Sequence, residues 1–103
     1  MGTYNTIRAL LICPRCGAEV ETHLDCHFGC TGDMADLKIG DRYPWTPGRQ
    51  AQNGGRPEKG TVDGEAYMEC SLCQKDSFWR VLVREDVVVG MEPDAQKAGY
   101  IPD

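Results

Sequence analysis

Apolar and polar positions along this chain repeat with a period of two. Residues 6–12 close on a short apolar run that ends in Cys13-Pro14-Arg15-Cys16-Gly17, a turn sequence. Beyond it, Val20, Thr22, Leu24, Cys26 and Phe28 alternate with Glu19, Glu21, His23, Asp25 and His27. That alternation predicts a strand buried on one face, so the two segments form a β-hairpin with a cysteine turn at its tip. A further short strand is expected over 34–39, closed by Gly40-Asp41. The C-terminal part repeats the first pattern. Residues 65–69 lead into Cys70-Ser71-Leu72-Cys73, a strand rich in Val and aromatics follows over 77–84, Glu85-Asp86 turns the chain, and 87–91 return. No segment predicts a helix.

Between these strand-rich ends, residues 46–64 contain Ala51 and Val62 as their only apolar side chains and glycine at five positions. This stretch reads as an exposed loop longer than compact domains ordinarily use for connection. At its entrance stands Arg42-Tyr43-Pro44-Trp45. Together with Arg49 and Arg56 these residues form an aromatic and basic cluster suited to a protein partner, Arg42, Tyr43, Trp45, Arg49 and Arg56 being the side chains in question. Core packing is the competing role for the two aromatics. Residues 92–103 read as an irregular tail docked by Tyr100 and Ile101.

Composition explains why cysteine matters here. Leu, Ile, Val and Phe number 19 of 103 residues, under a fifth, which is a thin core for one domain spanning 1–103. No run of about 18 apolar residues is present to cross a membrane. The formal charge of −5 comes wholly from residues 61–103, since residues 1–60 carry equal numbers of acidic and basic side chains. Non-specific nucleic-acid binding depends on neutralising phosphates, so the acidic balance disfavours it. The N-terminal apolar run is too short for an export signal, which places the chain in a reducing cytoplasm. There, closely spaced cysteines are metal ligands or redox centres before they are disulfides.

Six cysteines and two histidines offer donors. The two Cys-x-x-Cys pairs, Cys13/Cys16 and Cys70/Cys73, each fall at the tip of a predicted hairpin. Two residues of spacing let both sulfurs of a pair point to one side of a tight turn, and two such turns facing each other complete a tetrahedron with metal–sulfur bonds of about 2.3 Å. In these residues the chain resembles the knuckles of the zinc-ribbon and rubredoxin-like group. Cys13-Pro14-Arg15-Cys16-Gly17 has the usual form, while Ser71 replaces the common Pro and Gln74 stands where Gly is usual. The resemblance covers the knuckles and their flanking strands. It implies a small β-rich metal-bound domain, antiparallel hairpins with a long inserted loop, and one Zn²⁺ per chain held by Cys13, Cys16, Cys70 and Cys73.

Closing the 53 residues between Cys16 and Cys70 costs about 3 to 4 kcal/mol in chain entropy. A structural zinc site contributes roughly 10 to 16 kcal/mol, so the metal prevails and compensates for the thin core. Iron in the same four thiolates would make a rubredoxin-like electron carrier, and spacing alone does not separate the two metals. A dithiol redox centre is disfavoured because a strand, not a helix, follows Gly17.

The remaining donors, His23, Cys26, His27 and Cys30, would share one face of a helix and could there hold a second metal. On the strand preferred here, Cys26 points inward and both histidines outward, leaving Cys26 a quiet buried thiol. A second metal site and a Cys26/Cys30 redox pair are the alternatives. No catalytic constellation is found: the zinc-deaminase, metalloprotease, phosphate-loop and nucleophile-elbow patterns are all missing. The expectation is a non-enzymatic zinc-binding interaction module, with an iron electron carrier and a nucleic-acid-binding ribbon as rivals.

Overall fold

A computed structural model describes residues 3–32, 34–97 and 99–100. Six strands form one sheet: β1 (Asn5–Ile12), β2 (Glu19–Cys26), β3 (Asp36–Leu37), β4 (Val62–Glu69), β5 (Asp76–Arg84) and β6 (Val87–Pro93). Their order is β3-β1-β2-β4-β5-β6. β1 and β2 pair antiparallel with Ile7 opposite Leu24 and Leu11 opposite Val20, so the alternating apolar positions of both strands share one buried face. The second hairpin, β4 and β5, places Ala66 opposite Trp79 and Gly64 opposite Val81 on that same side. Both predicted hairpins are present, each with a cysteine turn at its tip.

The two hairpins meet through little backbone. β2 and β4 pair only at Asp25–Tyr67 and Cys26–Ala66, and nearer the tips Thr22 Oγ1 donates to the Glu69 carbonyl at 3.4 Å. The sheet also curls. Segment 36–42 runs parallel to β1 at Asp36 and Leu37, then reaches the opposite edge, where Gly40 N donates to Val88 O (2.8 Å) and Arg42 bridges Val87. The strand expected over 34–39 shrinks to two residues because the same few residues must serve both edges. Inside the curl lie Ile7, Leu24, Cys26, Tyr43, Val81, Val83 and Val88, all buried.

One end of this core is closed by a buried polar residue. Asn5 is fully enclosed; its Nδ2 donates to Cys30 O (2.9 Å) and to the Tyr43 hydroxyl (3.2 Å), and its Oδ1 accepts from Ala35 N (3.0 Å). Tyr43 in turn donates to Phe28 O at 2.7 Å and stacks on the Phe28 ring, centroids 4.3 Å apart. Burial raises the Tyr43 phenol well above its ordinary pKa. A satisfied buried network of this kind costs little when complete and a good deal when broken.

Two boundaries expected from composition move. The loop predicted over 46–64 ends before Val62, because β4 pairs Val62 with Val83 and Asp63 with Leu82. Its remaining residues fold on themselves through two 3-10 turns, Ala51–Asn53 and Glu58–Gly60, with Thr46 N bonded to Gly54 O and Gly55 N to Gln50 O. The tail predicted over 92–103 begins later, since β6 runs through Pro93. Tyr100 docks as expected, its amide donating to Asp76 Oδ2 (2.7 Å) and its ring edge-on to Phe78. Ile101 lies outside the described residues.

Candidate metal centre

The two cysteine turns are built alike. In the first, Cys13 N donates to Ala18 O (2.9 Å) and Gly17 N to Cys13 O (2.8 Å); in the second, Cys70 N donates to Lys75 O (2.9 Å) and Gln74 N to Cys70 O (2.9 Å). The same offsets recur because each turn must reverse the chain while aiming two sulfurs to one side. Its fifth residue takes positive φ in both cases, +75° at Gly17 and +59° at Gln74. Glycine is the low-energy choice at that position, and Gln74 adopts it nonetheless.

Facing each other, the turns bring Cys13, Cys16, Cys70 and Cys73 together with all four sulfurs within 4.8 Å. Across the turns, Cys13 Sγ lies 3.8 Å from Cys73 Sγ and Cys16 Sγ 3.9 Å from Cys70 Sγ. A tetrahedron with 2.3 Å metal–sulfur bonds has edges of about 3.8 Å, so the cluster suits a single ion. A disulfide would need about 2.05 Å, and all six cysteines are free.

Local electrostatics favour the thiolate at Cys70. The Cys73 amide, and behind it that of Leu72, draws the Cys70 thiol down to about 7 against the opposing effect of burial. Arg15 N lies 3.4 Å from Cys13 Sγ. The Arg15 guanidinium, between two ligands in sequence, reaches to the other hairpin, where Nη1 donates to Asp76 O (2.9 Å) and lies 3.6 Å from Asp76 Oδ1. Asp76 is fully buried at the start of β5 and also accepts from the Tyr67 hydroxyl (2.9 Å). This clasp ties one cysteine turn to the strand leaving the other. Sequence reading did not single out Arg15 or Asp76; nothing local marks a pair 61 residues apart.

The other four donors are not brought together. Cys26 is buried on β2, its thiol pushed up to about 12 by desolvation and then by the charge of Asp25. His23 lies on the opposite face with Nε2 3.4 Å from Asp25 Oδ1, and His27 leans on the Tyr4 ring at 5.7 Å. Cys30 is partly exposed beyond the end of β2, its carbonyl taken by Asn5. Strand alternation separates His23 from Cys26, while His27 and Cys30 lie beyond the strand, and among the described residues the four turn cysteines alone make a set of three or more His, Cys, Asp or Glu that could hold a metal.

Of the aromatic and basic cluster at the loop, Tyr43 is turned inward while Arg42, Arg49 and Arg56 stay exposed. Tyr43 is buried rather than surface-facing, for the network with Asn5 and Phe28 consumes it. Trp45 donates from Nε1 to Asp86 Oδ1 at 2.9 Å, Arg56 grips the same carboxylate through Nε (2.7 Å) and Nη2 (3.1 Å), and Arg42 approaches it at 3.7 Å. Asp86 thus anchors the loop to the β5–β6 turn, and Arg56 foremost holds its carboxyl below the usual carboxylate range. Arg49 is exposed and stays outside this network.

Comparison with protein-family models, with curated proteins and with solved structures finds no match for the chain.

Proposed function

We propose that the protein is a small, non-enzymatic binding module whose β-sheet is stapled by one zinc ion in Cys13, Cys16, Cys70 and Cys73. The observation that carries this reading is the position of the four-sulfur cluster: it joins the tips of two hairpins that share only two ladder pairs. Four protein thiolates leave a tetrahedral ion no open position for substrate or water, which supports a structural role over a catalytic one. Zinc and iron both accept such a set, and the prevalence of closed four-cysteine zinc sites in small domains supports zinc.

Elemental analysis of the purified protein is the test. One zinc per chain is expected, in colourless protein. One iron, with a red colour and a reversible one-electron couple, would replace this reading with that of an electron carrier. A role in nucleic-acid binding gains little support, because Arg56 is engaged with Asp86 and the chain is acidic overall. The exposed heads of Arg42 and Arg49 remain the part of the loop that can face a protein partner.

A further inference from the structure

A cavity of about 470 Å³ opens where β4 and β5 meet the segment that follows β2, its floor formed by the core residue Ala66. It is lined by His27, Phe28, Glu65, Tyr67, Phe78 and Tyr100. Phe28, Tyr67, Phe78 and Tyr100 are four of the eight aromatic residues in the chain, and Phe28 also packs against the core. Three of these rings surround one another: Tyr67 and Phe78 meet edge-on at 5.4 Å, Phe78 and Tyr100 edge-on at 5.4 Å, and Tyr67 and Tyr100 lie 6.1 Å apart.

Two of the lining side chains, Phe78 and Glu65, already hold a cation at the cavity's edge. Lys97 Nζ sits 4.4 Å from the centre of the Phe78 ring and 2.7 Å from Glu65 Oε1. An ammonium over an aromatic face and beside a carboxylate is the arrangement by which aromatic pockets recognise alkylammonium groups. The chain supplies that group from its own tail, and Lys97 is exposed enough to leave. The surrounding charge acts in the same direction, for residues 61–103 carry nine acidic and four basic side chains.

We infer that this aromatic cavity is a binding site for the alkylammonium side chain of a lysine, methylated or not, on a partner protein, with Lys97 occupying the cation position in the partner's absence. This names a ligand for the binding role proposed above and rests on that role, but not on the identity of the metal. A partner's ammonium displaces Lys97 from Phe78 and Glu65, gains the faces of Tyr67 and Tyr100, and leaves Lys97 to solvent. Because the occupant is intramolecular, removing it strengthens binding instead of weakening it.

The test titrates the full, metal-loaded chain with N-acetyl-trimethyllysine amide and with its uncharged tert-butyl isostere, followed by amide chemical shifts. The charged compound is expected to bind at least about fivefold more tightly than the isostere. Lys97→Gln is expected to raise its affinity roughly threefold to tenfold, and Glu65→Gln and Tyr100→Leu to lower it by a similar factor. All three changed side chains are exposed, so the variants keep the wild-type amide spectrum away from the cavity. Equal binding of charged and neutral compounds, unchanged or weaker binding by the Lys97 variant, or no binding to either protein at about 10 mM would overturn the inference. None of those results touches the metal reading, which elemental analysis decides separately.

Discussion

Gln74 holds a left-handed backbone conformation that L residues other than Asn and Asp rarely adopt, and the equivalent position of the first turn is Gly17. Its side chain is exposed, so removing it sacrifices no packing. Gln74→Gly should therefore stabilise the metal-loaded protein by on the order of 0.5 to 1 kcal/mol in chemical denaturation, the relief of left-handed strain exceeding the added freedom of the unfolded chain. Asn5 presents the opposite case. Replacing it with Leu leaves the Cys30 carbonyl and the Ala35 amide without their partner, and a loss of about 2 to 4 kcal/mol is expected in the same measurement. Among the cysteines, Cys70→Ser should abolish stoichiometric metal binding while Cys26→Ala leaves it at one ion per chain. Elemental analysis of both variants distinguishes ligand from buried thiol.

At the scale of elements, the loop of residues 46–61 is tied down by one carboxylate. Asp86 accepts from Trp45 and Arg56 and is held below the ordinary carboxylate pKa. A group depressed in the folded state contributes its full stabilisation above the unfolded value of about 4 and loses it as pH falls through the lower folded value. Trp45 fluorescence should accordingly change on acidification below about pH 4, with Asp86→Asn removing that pH dependence. Gly64 sets a second constraint on this region, because a Cβ there would stand 2.1 Å from Phe28 Cε1. Phe28 is pinned between β4 and Tyr43, so Gly64→Ala should destabilise by roughly 1 to 3 kcal/mol.

For the whole molecule, a metal held by the four turn cysteines would weigh as heavily as the core. A closed four-thiolate site contributes about 10 kcal/mol or more, comparable to the entire net stability of an ordinary domain. Chelation of the purified protein should abolish its cooperative thermal transition in circular dichroism, and restoring the metal should return it. Among the four turn cysteines Cys16 is exposed and Cys13 and Cys70 are buried, so access by a chelator is expected from the Cys16 side.

The amino-acid sequence by itself determined the two hairpins and the four cysteines at their tips. A period of two and a two-residue cysteine spacing are local properties, written within a dozen residues and independent of what packs above them. Alternation likewise placed Cys26 on the inner face and His23 on the outer. What only the tertiary structure decided depends on contacts between distant residues. Segment 36–42 joins both sheet edges, Arg15 reaches Asp76 across the cysteine turns, and Asp86 gathers Trp45, Arg56 and Arg42 around one carboxylate. The aromatic cavity was hidden for the same reason: Phe28, Tyr67, Phe78 and Tyr100 are scattered over 73 positions and converge only because the curled sheet and the docked tail place them on one surface.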